Sequence, residues 1–120
     1  MNIANNEWYI LRALWKKSPL TLKQLCDGVG KEHGWTKHGI LSTLKRMETK
    51  GSITVEQTDE RKYFSPAISE KEAKQLETDG LAQKAFGGSA MLLVSNIVEA
   101  QNFSQQEIDE LMQILQKKRS

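Results

Sequence analysis

WTKHGILSTLKRMETKGSI, Trp35–Ile53, carries two patterns on one segment. Ile40, Leu44 and Met47 recur at helical spacing, so one side is expected to be buried. Lys37, His38, Ser42, Lys45 and Arg46 fill the remaining turns with cations and short polar groups. The helix is predicted from about Thr36 to Lys50, with Gly51 placed to end it. After Gly51 the period changes from 3.6 to 2. Ile53, Val55 and Gln57 alternate with Thr54 and Glu56, a strand pattern. Thr58–Lys62 reads as a polar turn and Tyr63–Ser65 as a returning strand. Pro66 has no N–H to give a ladder, so this strand ends there or lies on an edge.

Two helices are predicted upstream. Asn6 can cap the first, with Trp8, Leu11, Leu14 and Trp15 as its apolar stripe. Lys16, Lys17 and Pro19 mark its end. Thr21 with Gln24 fits a capping box, and Leu22, Leu25, Cys26 and Val29 continue at helical spacing. Gly28, Gly30 and Gly34 weaken that second helix toward its end. Three helices and then a hairpin is the order of a winged helix-turn-helix domain.

In a helix-turn-helix the second helix lies in the major groove while its rear packs on the domain. The rear stripe is Ile40, Leu44 and Met47. Lys37, His38, Ser42 and Lys45 are the candidates for base edges. A surface helix with simply solvated cations would look similar on its own, but a wing-like hairpin directly after it favours the DNA reading. Arg61 and Lys62, placed at the hairpin tip, are expected over flanking phosphates together with Arg46. Arg46 has a second reading, an ion pair with an acidic neighbour near Glu48 or on the hairpin.

Residues 69–120 differ in kind. Ser69 with Glu72 opens a long polar helix, Gly87-Gly88 interrupts it, and Ser89–Ala100 is the most hydrophobic stretch of the chain. Ser104 with Glu107 caps a last helix closed by Lys117, Lys118 and Arg119. These helices are too few to cover their own apolar residues. Met91, Leu92, Val94, Ile97 and Val98 on one, and Ile108, Leu111, Met112 and Leu115 on the other, are therefore expected to meet a second copy. The expected architecture is mainly α with a small β-hairpin wing. A winged helix-turn-helix occupies residues 1–68 and a helical dimerisation region residues 69–120.

Charge follows the same division. Residues 1–68 carry 11 Lys/Arg and 7 Asp/Glu, net +4, whereas residues 69–120 carry 6 and 8, net −2. A basic first half suits a polyanion. At 120 residues, 38% of them hydrophobic, the chain has enough apolar side chains for one modest core. No apolar run approaches the roughly 18 residues of a membrane span. Residues 1–20 lack a signal-peptide pattern, and the lone Cys26 has no internal disulfide partner, so a cytoplasmic location is expected.

Enzyme chemistry finds no footing. Cys26 falls on an apolar stripe, where cysteine behaves as a small hydrophobe. His33 and His38 lack the company a metal site needs, and Gly87-Gly88 lacks the Lys-Ser/Thr of a phosphate loop. No cofactor and no metal are expected. The three tryptophans read as core. The alternative from another class is a winged-helix protein-interaction adaptor without specific DNA binding.

The chain resembles the penicillinase-repressor group of bacterial transcription regulators, related to beta-lactamase and methicillin-resistance repressors. The resemblance rests on EWYILRALW (Glu7–Trp15), Trp35-Thr36, Ile40 with LKRM (Leu44–Met47) and Lys50-Gly51. Arg61-Lys62-Tyr63 with Pro66, and the stretch Val94–Glu99, extend it over nearly the whole chain. It implies a winged helix reading a palindromic operator in double-stranded DNA, C-terminal helices forming a homodimer, and control of beta-lactam resistance or a related stress response. It also implies release by a sensor-linked protease cutting after an asparagine of the dimerisation helix, matching Asn96-Ile97. The usual next residue there is phenylalanine, and an Asn-Phe pair occurs instead at Asn102-Phe103. The chain departs from the family pattern at Gly39 and Leu41, so no operator sequence carries over. Copper-responsive relatives have a cysteine-rich tail; this chain ends in QKKRS, so metal sensing is not expected.

Overall fold

Helix α1 (Asn5–Lys16) begins two residues earlier than an Asn6 cap implies. Ala4 occupies the cap position, and the Glu7 carboxylate accepts its backbone N–H at 3.1 Å. Asn6 instead donates from Nδ2 to Thr43 Oγ1 at 3.3 Å. The inward face is Glu7, Ile10, Leu11 and Leu14, while Trp8 and Trp15 are only half-buried. A carboxylate as the first member of the stripe disguises its register. The computed structural model that shows this describes residues 1–119.

Strand β1 (Leu20–Thr21) was not foreseen, being too short for any period to show. It pairs antiparallel with β3 (Arg61–Pro66), Leu20 opposite Phe64 and Thr21 opposite Tyr63. Thr21 then caps α2 (Leu22–Leu25), with Gln24 N–H donating to its hydroxyl at 3.2 Å and Thr21 N–H to Gln24 Oε1 at 2.8 Å. The helical path continues through a π turn (Cys26–Gly30) into α3 (Lys31–His33), and Gly34, at φ 69°, ends it. Gly30 has a further role. A Cβ there would stand 2.6 Å from Ile40 Cδ1, so the glycine permits the close approach of the next helix.

That helix is α4 (Lys37–Lys50), capped by Thr36, whose hydroxyl accepts the Gly39 N–H at 3.0 Å. Gly51, at φ 88°, closes it, its N–H donating to Met47 O at 3.0 Å. Ile40, Thr43, Leu44 and Met47 face inward. Strand β2 (Ile53–Thr58) follows and pairs with β3 from Ile53–Pro66 to Thr58–Arg61, giving the sheet order β1-β3-β2. Pro66 does end its strand, although that strand is central.

Thirteen buried apolar residues form one core cluster that draws on α1, the helix-turn-helix, both hairpin strands and Ile68 and Ala73. All lie in the first of two compact units, Met1–Thr78. Ser69 opens α5 (Glu70–Phe86) through the expected capping box, its hydroxyl accepting Glu72 N–H at 3.1 Å. The two units divide inside this helix, between Thr78 and Asp79, whereas Ser69 marks only its start.

The second unit continues with α6 (Ala90–Ala100), capped by Ser89, and α7 (Gln105–Arg119), capped by Ser104 with Glu107. Among the described residues from Asp79 onward only Ala82 and Leu93 are buried hydrophobics. No helix of the described residues is long and apolar enough to cross a membrane.

Candidate nucleic-acid interface

At about 100° per residue along an α-helix, the side of α4 opposite Ile40, Leu44 and Met47 carries His38, Ser42, Lys45 and Thr49. All four are exposed. Three were expected from sequence. Thr49 was not; its hydroxyl donates to Lys45 O at 3.0 Å, which keeps it on the same face. Lys37, the first residue of the helix, is exposed too but stands toward one flank. Leu41 lies between that flank and the forward face and is 42% exposed.

Arg46 turns toward the opposite flank. Its Nη2 donates to Thr43 Oγ1 at 3.4 Å and its Nε stands 3.9 Å from Glu7 Oε2. The acidic neighbour is therefore on α1, not near Glu48 or on the hairpin. With half its side chain in water, this loose pair contributes little and leaves the guanidinium free to turn elsewhere.

Glu7 is the residue that sequence reasoning passed over. It is fully buried, and Lys50 Nζ donates to both of its oxygens at 3.0 Å and to Asn2 O at 2.9 Å. A buried carboxylate needs such a partner. The pair joins the start of α1 to the last residue of α4. Beside it, Thr43 Oγ1 donates to Gly39 O at 2.9 Å and accepts from Asn6 and Arg46. The signal in the sequence was a glutamate three residues before Ile10, inside an apolar stripe.

At the other end of α4 an aromatic group holds the turn of the helix-turn-helix. His33 lies 4.2 Å from Tyr9 and stacks on Trp35 at 5.1 Å, while Arg12 stands 5.4 Å over the Tyr9 ring. Trp35 is thus occupied by packing. Trp8 and Trp15 meet edge to face at 5.8 Å. Trp15 Nε1 donates to Ile68 O at 2.9 Å.

The wing departs from expectation. Its tip is Asp59-Glu60, a two-residue connection with Asp59 at φ 53°, and Arg61 and Lys62 belong to β3 rather than to the turn. Arg61 faces Thr58 and Lys62 faces Gln57 across the ladder. Adjacent strand residues point to opposite faces, so the two cations start out on different sides of the hairpin. Both still border a groove of about 690 Å³, with Lys23 and Gln24 from α2, Leu41 from α4 and Tyr63. A second concavity, about 750 Å³, lies between α1 and the first turns of α5, lined by Trp8, Tyr9, Arg12, Trp15, Glu70 and Glu77.

The proposed dimer residues are all exposed: Met91, Leu92, Val94, Ile97 and Val98 on α6, and Ile108, Leu111, Met112 and Leu115 on α7. Ile114, not singled out from sequence, joins them. Asn96-Ile97 lies within α6, and Asn102-Phe103 lies in the link between α6 and α7.

The chain is similar in sequence and fold to known proteins. The sequence profile of the family described as penicillinase repressor matches residues 3–117. The methicillin resistance regulatory protein MecI of Staphylococcus aureus strain N315 is 26% identical over 116 residues, 97% of this chain and 94% of that protein. The penicillinase repressor of Bacillus licheniformis is 24% identical over 114 residues, 95% of this chain and 89% of that protein. Among solved structures, Staphylococcus aureus MarR in complex with salicylate and kanamycin is similar. The TM-score is 0.51 at 25% identity, over 98% of this chain and 72% of that one.

Proposed function

The chain belongs to the penicillinase repressor family, whose members are transcriptional repressors and not enzymes, and from that premise we propose that it acts as a homodimer on a pseudo-palindromic operator. The observation that carries this reading is the two-sided α4. Its rear is locked into the core by Ile40, Leu44 and Met47, and His38, Ser42 and Lys45 stand exposed opposite. Those three, with Lys37, read base edges in the major groove. Arg46, Arg61 and Lys62 contact phosphates and set the register. The relatives named for methicillin resistance and penicillinase support a role in beta-lactam resistance or a related stress response.

Dimerisation belongs to the second half, residues 69–120. A helix that is hydrophobic nearly all round is normally buried. Yet α6 exposes Met91, Leu92, Val94, Ile97 and Val98 in the single chain. A second copy laid over α6 and α7 removes that surface from water.

Release proceeds by a sensor-linked protease. Of the two asparagine positions, Asn102-Phe103 is the better substrate, because it lies outside helices, whereas the backbone at Asn96-Ile97 is engaged in α6. Cleavage there separates α7 from the rest of the chain. The test of the whole reading is selection of bound duplexes from a random pool at stated salt. Enrichment of a two-fold repeat, with log affinity falling steeply against log salt, is expected. No enriched sequence, or salt-independent binding, overturns it.

A further inference from the structure

A single exposed leucine needs no explanation on an ordinary surface. Leu41 is placed where an ordinary surface leucine would be a poor choice. It occupies the second turn of α4, one helical turn after Lys37 and one before Lys45, with Ser42 beside it, all exposed. The adjoining groove brings Lys23, Gln24, Gln57, Arg61 and Tyr63 around it. The same groove also takes in Glu60, Leu22 and Phe64, but along the exposed surface of α4 Lys37, Ser42 and Lys45 are polar and Leu41 is the one large apolar side chain that the helix exposes. At about 100° per residue it stands some 40° from Lys45, toward the wing side of the forward face. A leucine there forms no hydrogen bond to any base edge. The one apolar feature a base presents in the major groove is the C5-methyl of thymine.

We propose that Leu41 is a specificity-determining residue that packs against the C5-methyl of one thymine in each half-site, on the wing side of the contacts made by Ser42 and Lys45. This rests on the DNA-binding reading above. The N-terminal turns of a recognition helix are the part that reaches base edges, and Leu41 lies within them.

The test uses the full-length protein and the duplex that it enriches from a random pool. Each thymine of one half-site is replaced in turn by deoxyuridine, which removes the methyl and leaves the hydrogen-bonding pattern unchanged. One position is expected to weaken binding about fourfold, the scale of one buried methyl-sized group. In Leu41→Ala the same replacement is expected to be neutral. Leu41→Gln, similar in length and on an exposed site, serves as a second variant should the alanine protein melt early; it too is expected to lose the methyl effect. Uridine replacements that are neutral everywhere in the wild-type protein overturn the proposal while leaving DNA binding intact. So does a methyl effect that persists undiminished in both variants. A wild-type protein that enriches no duplex instead overturns the DNA reading, and this inference with it.

Discussion

The two compact units use their apolar residues in opposite ways. Met1–Thr78 gathers thirteen of them into one closed core. The described residues from Asp79 onward bury only Ala82 and Leu93 and leave ten large aliphatic side chains of α6 and α7 exposed. Hydrophobicity in the first unit is consumed by its own fold, and in the second it is left over. The contrast fits the proposal of a DNA-reading unit that folds on its own and an assembly unit whose exposed apolar face is covered by a second copy. Four measurements press on it.

The largest effect is expected on removing α6 and α7. A fragment ending at Phe86 should sediment as a monomer with native-like circular dichroism, and should bind the selected operator roughly 10²–10⁴-fold more weakly, because the second half-site contact is no longer intramolecular. A dimeric fragment would place the interface in the first unit and erase the contrast.

Next comes the ion pair beneath the recognition helix. Lys50→Ala leaves a fully buried Glu7 with the Ala4 N–H and, as its one remaining cation, Arg46 at 3.9 Å, and is expected to cost about 3 kcal/mol by denaturant titration. Glu7→Gln should cost less, since Lys50 is 33% exposed and can rehydrate. Equal losses in the two variants would contradict this asymmetry. Neither change should alter the concentration dependence of dimerisation.

Ser42→Ala and Lys45→Ala are expected to weaken operator binding by about 1–3 kcal/mol while leaving random DNA nearly unaffected. Equal weakening on both would reassign them to phosphate contacts. The smallest effect should come from the wing. Arg61→Ala and Lys62→Ala should each lower the slope of log affinity against log salt by about 0.9 per lost contact in each subunit. Because the two start on opposite faces of β3, unequal slopes would show which face meets the backbone.

What the sequence made legible was what local chemistry determines. The capping pairs Thr21–Gln24, Ser69–Glu72 and Ser104–Glu107 all form as read. So does α4, from its Thr36 cap to Gly51. The missed features depend on residues far apart in the chain. Strand β1 exists because Phe64 and Tyr63 come back to pair with it. The α1 register was misread because Glu7 becomes an inside residue only when Lys50 arrives. The turn is shorter than the expected Thr58–Lys62, and the strands longer, because Asp59 adopts a left-handed conformation that non-glycine residues seldom take, which tightens the connection to two residues. Of the site, the forward face of α4 was legible from period alone; the residues that hold it from behind were not.

Helix α4 is held at both ends, by the Gly30–Ile40 approach and the stacked His33–Trp35 pair near its start and by Lys50 on Glu7 at its finish. It therefore behaves as a beam on two bearings rather than as a pointer on one hinge. Its 14 residues span about 21 Å, so a tilt of only about 5° about the far bearing would carry the reading end some 2 Å sideways. A hydrogen bond tolerates about half an ångström. The Lys50–Glu7 contact at one end thus fixes where the side chains at the other end can stand.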